Sequence, residues 1–271
     1  MKTLLRNSVN LLPASVRHWI KHIPVVAGGQ RWLVKHLLSG EPFVHVINAG
    51  PARGLRFEVT LPADKAIWAG TFEPDFSQQL HDAVRPGDVC FDIGGYRGYM
   101  SGVFALAGAS RVIVFEPLPD NLARLKRLVE LNPNLPLQIQ ATAVGKSDGQ
   151  VRFKIMPDQS MGKLAHSTFQ VDQAANQEIP VKLTRLDTSV FEQGLPRPNL
   201  MKIDVEGAEV DVLDGAQRTL QECRPRILSE AHSEMLADQC TQRLVALGYK
   251  LRQLEPGRLD ASQPRHLLAE P

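Results

Sequence analysis

Long apolar runs are missing from this chain: none reaches the length of a membrane span or a secretory core, so neither is expected. Cysteine is scarce. Cys90, Cys223 and Cys240 are odd in number and widely spaced, which argues against a disulfide framework or a zinc cage and fits a reducing, cytoplasmic setting. Aromatic residues make up only 6% and form no reader pattern beside basic residues, so a nucleic-acid partner is not expected. Acids are absent from residues 1–40, where Lys2, Arg6, Arg17, Lys21, Arg31 and Lys35 give +6; the chain totals +2, which leaves −4 for residues 41–271. What remains, 43% hydrophobic and 22% charged residues, suits one large soluble α/β domain with an extension.

The extension is read as residues 1–53, basic and mainly helical, ahead of a domain over 54–271. Val16, Trp19, Ile20 and Ile23 follow helical spacing with Arg17, His18, Lys21 and His22 between them, and Trp32, Leu33, His36 and Leu37 repeat the pattern. Such a face is expected to pack on its own domain or on a second subunit, giving a homo-oligomer; peripheral contact with an anionic membrane through residues 1–40 stays open.

Beyond Gly54 the apolar pattern alternates between period 2 and period 3.6. Gly54–Leu61 reads as an exposed strand, and Phe76–Val84 as a helix. Strands at Val89–Ile93, Arg111–Phe115 and Leu137–Val144 enclose helices at Gly98–Ala107 and Asp120–Leu131, the latter with Asp120 as its N-cap. This order predicts a doubly wound, mostly parallel Rossmann-like sheet with helices on both faces. Residues 145–198 interrupt it as an insertion or lid, with strands at Val151–Ile155 and Pro180–Leu186 around a polar stretch, Asp158–Glu178. Leu200–Val205 resumes the sheet, followed by a helix to Leu220, a strand at Arg226–Ser229 and a helix from Ser233 to Leu247; Tyr249–Leu254 and His266–Leu268 would close it as an antiparallel pair.

Charge at strand ends marks the site. Leu200–Leu213, LMKIDVEGAEVDVL, sets Lys202 and Asp204 into an apolar strand and opens a helix with Glu206, Gly207 and Glu209. Buried charge is costly unless paired or used, and ligands bind at the carboxyl ends of such strands. Asp92-Ile-Gly-Gly-Tyr-Arg-Gly98 forms the first strand–helix turn, and Glu116-Pro117 ends the next strand. An acid before the glycines would repel a pyrophosphate but receive a cationic amino-acid headgroup, and Glu116 is placed to bind both hydroxyls of a ribose. That pairing favours S-adenosylmethionine over NAD. The candidate cofactor residues are therefore Asp92, Gly94, Gly95, Tyr96, Gly98, Glu116 and Pro117.

The runs GDVCFDIGGYRGYMS (Gly87–Ser101), VIVFEPLPDNLARLKR (Val112–Arg127), Leu186-Asp187 and KIDVEGAEVDVLDGA (Lys202–Ala216) together resemble the FkbM-type S-adenosylmethionine-dependent methyltransferases, as do GTFEP (Gly70–Pro74) and ILSEAH (Ile227–His232). The resemblance covers about Gly70 to His232, with Gly95-Tyr96-Arg97 departing from the commoner Ala-Asn-Ile. It implies a class I methyltransferase sheet, S-adenosyl-L-methionine as cofactor, and methyl transfer to a hydroxyl of a small-molecule, glycan or lipid-linked acceptor. Asp204 and His232 are the candidate general bases, the imidazole because its ordinary pKa suits neutral pH; Glu230 would orient His232 or bind acceptor hydroxyls, and Lys202 would pair with Asp204. A metal on Asp204, Glu230 and His232 is set aside, since spacing across separate strands is weak support. A nicotinamide oxidoreductase and a non-catalytic cofactor-binding assembly protein are the alternatives.

Overall fold

The structure, a computed structural model, describes residues 40–155, 162–164, 177–254 and 265–271. The amphipathic arm over residues 1–39 and the polar tip with His166, Ser167 and Thr168 lie outside the described residues.

A hairpin of β1 (Phe43–Val46) and β2 (Arg56–Val59) comes first, then α1 (Lys65–Ala69) and α2 (Pro74–Ala83). In β2 the side chains alternate: Phe57 and Val59 are buried while Arg56 is exposed, so the strand is half-buried rather than exposed. β1 pairs with β2 across position 53, and Ile47 and Ala52 lie in the same core as Phe57. The compact unit thus begins on the N-terminal side of the boundary expected there.

The main sheet has seven strands. β3 (Val89–Ile93), β4 (Arg111–Phe115) and β5 (Leu137–Gln140) alternate with α3 (Tyr99–Leu106) and α4 (Pro119–Leu131). The expected third strand stops at Gln140; Ala143–Val144 forms β6 of a separate four-stranded sheet with β7 (Gly149–Ile155), β8 (Gly162–Leu164) and β9 (Gln177–Thr184). After α5 (Leu186–Phe191) come β10 (Leu200–Ile203), α6 (Glu209–Asp214), α7 (Gln217–Glu222), β11 (Arg226–Ala231), α8 (Glu234–Ala246), β12 (Lys250–Gln253) and β13 (Arg265–Glu270). The order is β12-β13-β11-β10-β3-β4-β5, with β3, β4, β5, β10 and β11 parallel and β13 antiparallel to both its neighbours.

Alternation along each strand builds two cores. Cys90, Val112, Val114 and Leu200 face Phe104, Leu125 and Leu128 on one side; Phe91, Ile113, Phe115, Met201 and Ile203 face Val212, Leu220 and Leu244 on the other. Two helix ends differ from expectation. α4 starts at Pro119 with Leu118 as N-cap, so Asp120 sits in the first turn and favours the helix through its dipole. The helix after β10 breaks into α6 and α7 at Gly215, where a Cβ would lie 2.0 Å from the Gly145 carbonyl oxygen. Ser233 caps α8 by accepting from the Leu236 amide.

Candidate active site

Between β3 and β10 the chain order reverses, and the carboxyl ends of β3, β4 and β10 open into a cavity of about 300 Å³. That is where open α/β sheets bind ligands. Gly94, Gly95 and Tyr96 line one wall, Glu116, Pro117 and Leu118 the next, and Lys202, Asp204, Glu206 and Glu73 the side facing β10.

The glycine turn is packed as tightly as it is shaped. Gly94 has φ +84°, and a Cβ there would lie 1.8 Å from the Asp204 carbonyl oxygen. Gly98, the α3 N-cap, is not itself on the cavity lining; its amide donates to the Gly95 carbonyl at 2.8 Å and a Cβ would collide with Leu125 and Leu128, so it packs the helix against the turn. Tyr96 has φ +50° and donates its amide to Glu116 Oε2 at 2.9 Å, while the Leu118 amide donates to Oε1 at 2.8 Å. Burial pushes the Glu116 carboxyl up to about 7, against the pull of these amides and the Asn121 side chain. Arg97 turns away and ion-pairs with buried Asp64, with its guanidinium 5.7 Å from the Phe57 ring centroid, so the loop is tied to the N-terminal hairpin.

Asp92 is fully buried and does not line the cavity. It stands beside Lys202 in the β3–β10 register, under α3, where Ser101 donates to its Oδ2. Lys202 Nζ lies 3.2 Å from Asp92 Oδ1, 3.2 Å from Asp204 Oδ2 and donates to the Gly94 carbonyl at 2.9 Å. Burial would discharge the ammonium; the two carboxylates outweigh it and hold Lys202 charged, well above its ordinary pKa. Lys202 thus bridges two acids rather than pairing with Asp204 alone, and Asp92 meets Lys202 through Oδ1 and Ser101 through Oδ2.

At the end of β11 the acids crowd around one imidazole. His232 Nδ1 meets Glu209 Oε1 at 2.9 Å, and its Nε2 lies 3.4 Å from Glu206, 3.7 Å from Asp204 and 3.8 Å from Glu230. Burial disfavours the imidazolium, but the Glu209 hydrogen bond and the Asp204 and Glu206 charges raise its pKa to about 9. The neutral-pH reason for choosing His232 as base therefore does not survive folding. His232 and Glu230 stand beside the cavity, outside its lining; Asp204 lies on the lining and joins the two. Glu73, not singled out as a functional residue by sequence, also faces the cavity: it sits at φ +41° ahead of Pro74, and burial, then Glu230 and Asp204, push it to about 7.

The Methyltransferase FkbM domain family matches residues 92–251, more than half of the 271 residues. The chain belongs to this family. Among relatives, hexuronic acid methyltransferase AglP of Haloferax volcanii is 28% identical over 149 residues, which cover 55% of this chain and 58% of that protein. The 2-O-methyltransferase NoeI of Sinorhizobium fredii is 25% identical, over 65% of this chain and 79% of that one. A crystal structure of methyltransferase FkbM from Methylobacillus flagellatus aligns at 17% identity and TM-score 0.47, covering 71% of this chain and 50% of the other. Family membership speaks against the nicotinamide alternative, and it places the glycine turn and the charged β10 segment inside the matched domain.

Proposed function

We propose that this protein is an S-adenosylmethionine-dependent O-methyltransferase acting on a hydroxyl of a glycan or another sugar-like acceptor. The observation that carries this is a cavity at the β3–β10 reversal, which joins the Gly94-Gly95 turn and Glu116 to the acids Asp204, Glu206 and Glu73. Its donor set fits the cofactor: carboxylates suit a cationic sulfonium and ammonium, and the Tyr99 hydroxyl, buried on the lining, has no hydrogen-bond partner among the described residues. One relative named as a hexuronic acid methyltransferase and another named as a 2-O-methyltransferase support a hydroxyl on a sugar-like acceptor.

When bound, S-adenosylmethionine supplies a sulfonium methyl as the electrophile. Tyr96, Glu116 and Pro117 would hold the ribose side, since the Glu116 carboxylate keeps one acceptor site beyond the Tyr96 and Leu118 amides and the Asn121 side chain. Lys202 holds Asp204 in place on the lining, and Asp204 orients the acceptor hydroxyl. Glu73, whose pKa near 7 suits a base at neutral pH, would take the proton of the acceptor hydroxyl on a carboxylate oxygen. Calorimetry should show S-adenosylmethionine binding, and incubation with methyl-labelled cofactor and a panel of neutral, acidic and lipid-linked sugars should place the label on oxygen. Absence of cofactor binding by the folded protein, or binding of NAD in its place, would overturn the proposal.

A further inference from the structure

Asp204, Glu230 and His232 come from the ends of two neighbouring strands, and their nearest ligand-type atoms all lie within 4.8 Å of one another. We infer that they form a binding site for one divalent cation of the Mn²⁺ type, next to the cofactor cavity.

The geometry around the imidazole carries this. Glu209 is fully buried and anchors Nδ1 at 2.9 Å, which turns Nε2 toward three carboxylates, Glu206 Oε2 at 3.4 Å, Asp204 Oδ1 at 3.7 Å and Glu230 Oε1 at 3.8 Å. A histidine that binds a metal through one nitrogen is commonly oriented by a carboxylate on the other. The Nε2–oxygen separations of 3.7 and 3.8 Å are too long for hydrogen bonds. They approach the roughly 3.0–3.4 Å expected between two ligands bound about 2.1 Å from one ion. Asp204 divides its oxygens accordingly: Oδ2 meets Lys202 and Oδ1 faces His232.

Charge is the second, independent observation. Glu209 Oε2 is buried without a hydrogen-bond partner among the described residues, while its Oε1 holds the imidazole. Asp204, Glu206, Glu209 and Glu230 all surround His232, while Lys202 is shared with Asp92. Without an ion the imidazolium offsets part of that excess; a divalent ion would displace its Nε2 proton and take over the balance. Two carboxylates and one imidazole form a mixed oxygen–nitrogen set that suits Mn²⁺ better than a purely oxygen-seeking ion. Three protein ligands leave open positions, and Asp204 puts them against the cavity lining. An acceptor hydroxyl bound there would be polarised before it meets the methyl group; that role rests on the proposed methyltransferase function, whereas the binding does not.

The test is titration of the full-length protein with Mn²⁺ alone, followed by electron paramagnetic resonance and calorimetry. One ion per chain should bind, with electron spin-echo modulation from a single histidine nitrogen. Glu230→Gln and His232→Gln should each weaken binding at least tenfold, His232→Gln should erase the nitrogen modulation, and Glu209→Gln should weaken binding about tenfold. Asp238→Asn, on the exposed face of α8, should change nothing. If a variant fails to fold, the nitrogen signal of the unaltered protein decides. No saturable binding, no histidine modulation, or equal affinity in folded variants would overturn the inference. S-adenosylmethionine binding measured separately in metal-free buffer would leave the proposed function standing if the metal site failed.

Discussion

Lys202 carries the sharpest energetic consequence of any single side chain here. It is buried between Asp92 and Asp204, so replacing it strands a carboxylate in the core. Lys202→Met should cost about 3–5 kcal/mol in a urea titration, the range for a buried pair that loses one partner. Its pairing with Asp204 is legible in sequence because positions two apart on a strand share a face. Its contact with Asp92 is not, because that depends on the register of strands more than a hundred residues apart. Glu73 escaped for a related reason: nothing local shows that a turn before Pro74 faces a cavity built by β3, β4 and β10. Glu73→Gln should lower kcat about 10²–10⁴-fold and remove the limb of the kcat/KM profile that rises through about pH 7. An unchanged profile would assign the proton to another group.

Strands β3 and β4 match their expected limits, because each is a short apolar run closed by a turn residue or an acid. The division of the helix after β10 is not legible locally, since α7 is capped by the distant Asp187, whose carboxylate accepts from the Arg218 and Thr219 amides. Gly94 shows the same dependence at the cofactor turn, where the neighbouring Asp204 carbonyl leaves no room for a methyl group. Gly94→Ala combines that clash with a left-handed backbone and should destabilise by more than about 1 kcal/mol. S-adenosylmethionine affinity should fall at least tenfold with it, as read by calorimetry; retained affinity would mean the turn can relax without moving the lining.

The clustered acids and His232 also set how the folded chain responds to pH. Glu73, Glu116 and Glu206 are each raised from 4.5 to about 7, in every case first by burial, and His232 from 6.5 to about 9. A raised group stabilises fully below its unfolded pKa and loses that contribution as pH passes its folded value. Ligand-free stability should therefore decline from about pH 4.5 to 7 through the acids and from about 6.5 to 9 through the imidazolium. Asp148, where desolvation pushes up but the combined hydrogen bonds from Arg185, Thr188 and Thr184 outweigh it and hold the carboxyl near 2, acts only at lower pH. Thermal scans should show Tm falling across both windows, with Glu206→Gln flattening the first and His232→Gln the second. A flat Tm would show that these groups relax toward water.

The tie between Arg97 and Asp64 bears on how such proteins can be recombined. Arg97 belongs to the matched segment 92–251, and Asp64 lies outside it. A chimaera that grafts the matched segment onto a foreign leader would import the glycines without their anchor, leaving a guanidinium buried against nothing. Exchange between relatives should succeed only when the crossover falls upstream of the β1–β2 hairpin.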